Sequence, residues 1–178
     1  MSSLTSPERL WWRQPLSREE KVWVTVAVVW GVFMFAFMYL WSGIGGKQEV
    51  PIETYRVSPA QFETLANDFV ARYQVGSENG IPVVRPPAGS DIYLIARAWQ
   101  WTPILELEKG ATYRIHASSL DFQHGLSIQP GNLNLQVLPG YDYVMTMTPD
   151  KAGEYQLVCN EYCGPGHHLM LGKIIVTE

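Results

Sequence analysis

The hydrophobic pattern divides the chain into two unlike parts. Residues 22–41 form a run of twenty residues without a charged side chain. At the rise of an α-helix such a run spans about 30 Å, the thickness of a bilayer's hydrocarbon core. Trp23, Tyr39 and Trp41 stand near its ends, where aromatic side chains favour the membrane interface. The pattern predicts a transmembrane helix over 22–41. The run is too long, and begins too far from the N-terminus, to be a cleaved signal peptide.

Basic residues are more frequent before this helix than directly after it. Residues 1–21 contain four, and the nearest ones after the helix are Lys47 and Arg56. Because cytoplasmic flanks carry the excess of Lys and Arg, residues 1–21 are predicted to be cytoplasmic and the rest of the chain to lie outside. Glu20 stands at the helix start, where an acid caps a helix through its dipole.

Residues 42–90 are predicted to be a linker that contains one short helix. Ser58 and Pro59 are typical of a helix start, and Phe62, Leu65 and Phe69 follow at spacings of three and four. This spacing predicts an amphipathic helix over about 59–73, which would pack on a partner subunit or on membrane lipid. Residues 74–90 are rich in Gly, Pro and Ser and are predicted to be a loop.

From residue 91 onward the pattern is that of short β-strands. Runs of β-branched and aromatic residues recur, separated by turn residues such as Lys109-Gly110 and Pro139-Gly140. Many short strands at this spacing predict a Greek-key β-sandwich over residues 91–178. The fold class is therefore all-β with one N-terminal transmembrane helix.

Candidate chemistry is concentrated in residues 159–170. Cys159 and Cys163 are the only cysteines, and His167 and Met170 follow within seven residues of Cys163. Thiolate and thioether ligands together select copper over magnesium, calcium or manganese. With one more histidine, Cys163, His167 and Met170 would form a mononuclear blue-copper site, which has no use for Cys159.

A second thiolate suggests a second metal ion, with both sulfurs bridging. A dinuclear copper centre with an electron-transfer role is therefore the economical interpretation. His124, at a predicted strand end, is the best candidate for the remaining side-chain ligand. Two alternatives remain open: a Cys159–Cys163 disulfide, and a zinc site made of two Cys and two His. His168 is expected to be a neighbour of the site and not a ligand.

Composition changes this interpretation little. The net charge is −4, so nucleic acid is not an expected partner. Hydrophobic residues make up 47% of the chain, enough for a core in one compact domain plus an appendage. A membrane-anchored copper carrier, which also uses paired cysteines, is a hypothesis from another functional class.

The motif Cys-x-Glu-x-Cys-x-x-x-His-x-x-Met, with Asp-x-x-His ending 35 residues before it, resembles the copper A motif of cytochrome c oxidase subunit II. The resemblance implies a cupredoxin fold and an electron-transfer subunit that is itself not catalytic. It implies a dinuclear copper A centre, and a weak ligand from the Glu161 backbone carbonyl. It also implies a Mg ion bound by the Glu161 carboxylate beside the catalytic subunit. The implied side-chain ligands are His124, Cys159, Cys163, His167 and Met170.

The same resemblance implies partners and a location. Electrons would come from an external donor such as cytochrome c, or from quinol, and go to haem in catalytic subunit I. Trp99, or alternatively Trp101, would be the exposed aromatic that receives them. The single helix is similar to the short B-type subunit II of bacterial inner membranes, in which an acid at the position of Glu20 stands at the mouth of a proton path. A copper A subunit of a nitric oxide reductase is the alternative, because it would need the same ligands.

Overall fold

The computed structural model describes residues 15–45, 53–131 and 133–178. The chain divides into two compact units, Met1–Lys47 and Gln48–Glu178. Most of the predicted cytoplasmic segment 1–21, and residues 46–52 of the predicted linker, lie outside the described residues.

The first unit is built on one long helix. Helix α1 spans Arg18–Leu40 and continues as a π-helical turn over Trp41–Gly45. Ser17 and Glu20 form a capping box: the Ser17 hydroxyl accepts from the Glu20 N–H, and the Glu20 carboxylate accepts from the Ser17 N–H. This cap starts the helix four residues before the uncharged run. The 27 residues Arg18–Ile44 are long and apolar enough to cross a membrane, and their large apolar side chains are exposed.

The second unit is a β-sandwich with one helix. Helix α2 spans Pro59–Tyr73, the range over which the sequence predicts an amphipathic helix. In the described part of this unit, twelve strands form two sheets. Their bounds are β1 Glu53–Arg56, β2 Gln74–Glu78, β3 Ile81–Val84, β4 Asp91–Arg97, β5 Gln100–Thr102, β6 Ile104–Glu108, β7 Tyr113–Ser119, β8 His124–Gln129, β9 Leu133–Val137, β10 Tyr141–Met147, β11 Gly153–Val158 and β12 Leu171–Thr177.

The strand order in the five-stranded sheet is β1-β10-β7-β4-β5, and in the seven-stranded sheet β2-β3-β6-β12-β11-β8-β9. Apolar side chains of both sheets, such as Leu94, Ile115 and Leu126, are fully buried in one core between them. Helix α2 packs Phe62 and Ala66 against Ile95 of β4, in a second, smaller cluster. Strand β4 is therefore buried on both faces, which explains its nearly continuous apolar sequence.

The prediction of a loop over 74–90 is wrong for two segments. Strands β2 and β3 pair antiparallel with each other, and β3 joins β6 in parallel. Strand β1, in the predicted linker, pairs antiparallel with β10. Gly76 in β2 and Pro82 in β3 interrupt the run of β-branched and aromatic residues that is typical of a strand. Pairing with neighbouring strands stabilises these segments although their own residues have low strand propensity. The sandwich therefore begins well before the predicted boundary at residue 91.

Three neighbouring strands bring distant residues to one end of the sandwich. Strand β11 pairs antiparallel with both β8 and β12. The start of β8 therefore lies beside the end of β11 and the start of β12. His124 opens β8, and residues 159–170 connect β11 to β12. Register alone thus places His124 next to that loop.

Candidate metal centre

The loop of residues 159–170, which we call the cysteine loop, is closed at its base. The Cys159 N–H donates to the Met170 carbonyl over 3.2 Å, which extends the β11–β12 ladder by one bond. Gly164 has a φ of +113°, a conformation that favours glycine, and a short 3₁₀ turn covers His167–Leu169. The loop therefore folds back on itself and turns Cys159, Cys163 and Met170 into the protein, where all three are buried.

Six potential donor groups meet under this loop. The two Sγ atoms lie 3.5 Å apart. His124 Nδ1 lies 3.9 Å from Cys159 Sγ, and His167 Nδ1 lies 3.6 Å from Cys163 Sγ. Met170 Sδ is 3.9 Å from Cys163 Sγ, and the Glu161 carbonyl oxygen is 3.3 Å from Cys159 Sγ. The structure thus brings together all the side chains that the sequence predicted as copper ligands, and the predicted backbone carbonyl.

The chemistry of this donor set fits copper. Two thiols, two imidazoles and a thioether are soft or borderline ligands, and zinc sites rarely include methionine. His124, Cys159 and Cys163 by themselves form a buried group able to hold a metal ion. Both cysteines are free, and a 3.5 Å separation is far beyond the length of a disulfide bond, about 2.05 Å. In this structure Cys159 and Cys163 therefore do not form a disulfide bond.

His124 has a defined tautomer. Its Nε2 lies 2.8 Å from Asp121 Oδ1. A carboxylate only accepts, so Nε2–H donates to Asp121 and Nδ1 is left with a free lone pair on the side of Cys159. Burial would raise the pKa of Asp121, but hydrogen bonds from His124, Ala98 and Phe122 bring that pKa below its usual value. The carboxylate is therefore ionised at neutral pH and fixes the ring for metal binding.

Without a metal, the Cys163 thiol resists ionisation. Burial, together with the neighbouring Cys159, raises the pKa of Cys163 to about 12. Two thiolates 3.5 Å apart in a buried site need a compensating cation. Metal binding would supply that positive charge and release the thiol protons.

Gly125 lets the cysteine loop lie close to strand β8. A Cβ atom at this position would stand 2.2 Å from Asn160 Oδ1 and 2.8 Å from the Glu161 backbone nitrogen. Only glycine leaves room for this approach, which keeps the Glu161 carbonyl near Cys159. The Asn160 side chain also donates to Asn134 Oδ1 of β9 over 2.9 Å.

Known proteins resemble the chain over part of its length. No protein-family model matches the chain. Over 88 residues it is 38% identical to cytochrome c oxidase subunit 2 of Thermus thermophilus, a match that covers 49% of this chain and 65% of that protein. The predicted resemblance to cytochrome c oxidase subunit 2 is thereby confirmed.

Solved structures support the same relationship. One chain of a heme-copper terminal oxidase dimer matches at 27% identity with a TM-score of 0.54, over 90% of this chain and 100% of that one. Rusticyanin from Thiobacillus ferrooxidans matches in fold, with 18% identity and a TM-score of 0.51 over 70% of this chain and 97% of its own. The predicted cupredoxin fold with one N-terminal apolar helix is confirmed.

Trp99 lies directly on the cysteine loop. Its indole N–H donates to the Cys163 carbonyl over 3.0 Å, and 38% of the residue is exposed. The ring covers Gly166, where a Cβ would stand 2.2 Å from Trp99 Cδ2. Trp99 therefore extends from the protein surface to the backbone of Cys163 in the site.

Trp101, the alternative to Trp99, does not meet the requirement of an exposed aromatic. It is 1% exposed and lies in the core, because strand alternation turns it to the opposite side from Gln100. Its ring meets His124 edge-on, with centroids 6.3 Å apart. Trp101 thus packs behind a predicted ligand.

The other predicted residues have simpler described contacts. Glu20 belongs to the first unit, where its described contacts are those of the capping box. His168 is exposed and makes none of the contacts given above.

Sequence reasoning missed three residues that shape the site. Neither the hydrogen bonds of Asp121, nor the tight packing at Gly125, nor Phe122 was predicted. The Phe122 ring stacks on His124 with centroids 5.1 Å apart. All three lie within three residues of His124, so its immediate neighbours were the available signal.

Proposed function

We propose that this chain is the subunit through which electrons enter a membrane haem-copper oxidase, and that it holds a dinuclear copper A centre. The ligands would be His124, Cys159, Cys163, His167 and Met170, with the Glu161 carbonyl as a further weak ligand. An oxidoreductase complex is the setting in which the homologues named above occur. The chain itself would transfer electrons and leave the reduction of oxygen to the catalytic subunit.

One observation carries this proposal: each thiol has its own histidine. His124 accompanies Cys159, and His167 accompanies Cys163, at 3.9 and 3.6 Å, while the two sulfurs are 3.5 Å apart. A mononuclear site would leave one cysteine without a role. Two metal ions that share both sulfurs use every one of these donors.

Bound copper would take up and release one electron at a time. The residues of this chain would keep its surroundings constant. The buried thiols and Met170 exclude water, the Asp121 carboxylate holds His124, and Gly125 lets the loop lie against β8. A rigid scaffold reduces rearrangement between redox states, which favours rapid transfer.

Trp99 is our proposed point of electron input. It is partly exposed, and its hydrogen bond leads to the carbonyl of Cys163. Trp99→Phe should slow reduction of the centre by an external donor and leave the copper content unchanged. Tyr162→Phe, a change at another exposed aromatic of the loop, is the matched control and should leave the rate nearly as it was.

The remaining assignments follow from the homology and from charge counting. We propose that α1 anchors the chain in a bacterial inner membrane with its N-terminus in the cytoplasm and the cupredoxin domain outside. Catalytic subunit I, which contains the haem, and cytochrome c or quinol would be the partners. A Mg ion at the Glu161 carboxylate and a proton path that begins at Glu20 are further proposals from the resemblance. The capping box already accounts for Glu20 without a proton path.

Copper counting with electron paramagnetic resonance on the full chain in detergent tests the central claim. Two coppers per chain and a seven-line mixed-valence signal are expected. One copper with a four-line signal would indicate a blue-copper protein, and readily exchangeable copper would indicate a carrier. Either result would overturn the proposal. Oxygen and nitric oxide consumption by the assembled complex then separates the oxidase from the nitric oxide reductase alternative.

A further inference from the structure

Asp121 contacts both a proposed ligand and the segment that carries Trp99. We infer that Asp121 is a positioning residue whose single carboxylate holds His124 and the peptide before Trp99 in a fixed relation. The inference rests on the copper centre proposed above. It assigns to Asp121 an effect on copper affinity and on redox potential that a merely structural aspartate would not have.

The two oxygens of the carboxylate have different partners. Oδ1 accepts from His124 Nε2–H over 2.8 Å and from the Phe122 N–H over 2.7 Å. Oδ2 accepts from the Ala98 N–H over 2.7 Å. Asp121 therefore links the start of β8 to the turn between β4 and β5, two segments that are distant in sequence.

His124 has little freedom in this setting. Its side chain is fully buried, Phe122 stacks on the ring with planes 29° apart, and Trp101 meets it edge-on. With Nε2 bonded to Asp121, Nδ1 is the ring atom left to face Cys159. Without the carboxylate the ring could rotate and turn Nδ1 away from Cys159.

The turn that carries Trp99 has two attachments to the site. The Ala98 N–H is bonded to Asp121, and the Trp99 indole N–H is bonded to the Cys163 carbonyl. Loss of the first bond would free the Ala98 end of the turn that carries Trp99. Asp121 thus orients the proposed input residue and the histidine ligand together.

The chain offers a matched control in Asp142. Asp142 is buried, whereas Asp121 is partly exposed, and Asp142 lies 2.7 Å from a histidine, His116 Nδ1, in the five-stranded sheet. Asp142→Asn removes the same charge from the same kind of pair, and neither residue contacts the cysteine loop. A loss of stability common to both variants is therefore separated from an effect on the copper centre.

The experiment compares copper-loaded wild type, Asp121→Asn and Asp142→Asn as full chains in detergent. Asp121→Asn should raise the copper dissociation constant about 10- to 100-fold. It should alter the copper hyperfine splitting and raise the midpoint potential, because removal of a negative charge beside the centre favours the reduced state. Asp142→Asn should leave all three quantities as in wild type.

The outcomes separate this inference from the proposed function. If wild type does not bind two coppers, the proposed function fails and this inference fails with it. If wild type binds two coppers and Asp121→Asn matches Asp142→Asn in affinity, spectrum and potential, only the role of Asp121 is overturned. If Asp121→Asn does not fold, Asp121→Glu serves in its place. That variant keeps the charge but lengthens the side chain, so it should weaken copper binding with a smaller shift of potential, and wild-type affinity would overturn the inference.

Discussion

Among the described residues, two buried histidines each lie beside an aspartate, and one of them belongs to a candidate metal site. His124 Nε2 is 2.8 Å from Asp121, and His116 Nδ1 is 2.7 Å from Asp142. The pairs differ in what the second ring nitrogen meets. His124 Nδ1 faces Cys159, whereas His116 Nε2 has no hydrogen-bond partner among the described residues and lies 3.5 Å from Asp91 Oδ1.

This difference shows that a buried, carboxylate-bound histidine does not define a metal site. His116 stacks on Tyr93 with centroids 4.7 Å apart, and Tyr93 in turn contacts helix α2. The hydrogen bond between His116 and Asp142 links two neighbouring strands of the five-stranded sheet. Both cysteines of the chain lie in the cysteine loop, which connects two strands of the seven-stranded sheet. In the part of the chain that the structure describes, the potential metal ligands beside the His116 nitrogens are carboxylate oxygens, which are hard ligands. The thiol pair distinguishes the two histidines, and the predictions below test that distinction.

Loss of one thiol should have the largest effect. Cys159→Ser removes one of the two proposed bridging ligands, so we expect loss of the mixed-valence signal and of most bound copper. Asn160→Ser changes the next residue of the loop, which is not a proposed ligand, and should retain both coppers. Electron paramagnetic resonance and copper analysis decide the matter, and an intact seven-line signal in Cys159→Ser would refute the bridging role.

Parallel substitutions of the two histidines compare the pairs directly. His124→Asn should abolish the dinuclear signal, because one terminal ligand is lost. His116→Asn should keep the copper and destabilise the fold by about 1–3 kcal/mol, the cost of a lost buried hydrogen bond. Thermal unfolding of the copper-free proteins measures the second effect. Copper loss in His116→Asn at a temperature where the protein remains folded would show that the two pairs are not independent.

Gly125 allows the loop to approach, and a methyl group there should weaken the site without removing a ligand. Gly125→Ala must displace Asn160 or the Glu161 backbone, so we expect a lower copper affinity and an altered spectrum. Gly76→Ala in β2 is the control, because its Cβ would meet no atom within 4 Å. Copper titration of both variants is sufficient, and equal affinities would mean that the loop tolerates the displacement.

Met170 should have the smallest effect on copper content. Met170→Leu preserves the buried volume and should cost less than about 1.5 kcal/mol of stability. The midpoint potential should change while two coppers remain, because a weak axial ligand tunes potential more than affinity. Potentiometry of the copper-loaded chain tests this expectation, and an unchanged potential would exclude Met170 from the ligand set.

Local sequence pattern predicted the features that depend on neighbouring residues. Helix α1 follows from the uncharged run at 22–41, and α2 from its cap and its apolar spacing. The cysteine loop was evident because five residue positions carry two thiols, and a histidine and a methionine follow closely. Strands β2 and β3 were missed, because they are stabilised by pairing with each other and by the pairing of β3 with β6, and not by the strand propensity of their own residues.

The sequence by itself determined the kind of chemistry, since the types and spacing of donor residues select copper before any fold is known. The sequence suggested His124 as the further ligand, and tertiary structure places it beside the thiols. His116 and His124 are both strand histidines near an aspartate, but the antiparallel pairing of β8 with β11 brings only His124 to the cysteine loop. Tertiary structure also decided which of Trp99 and Trp101 is exposed, because alternation along β5 buries one and the turn before it exposes the other. Such choices depend on contacts between residues far apart in sequence, which no local pattern contains.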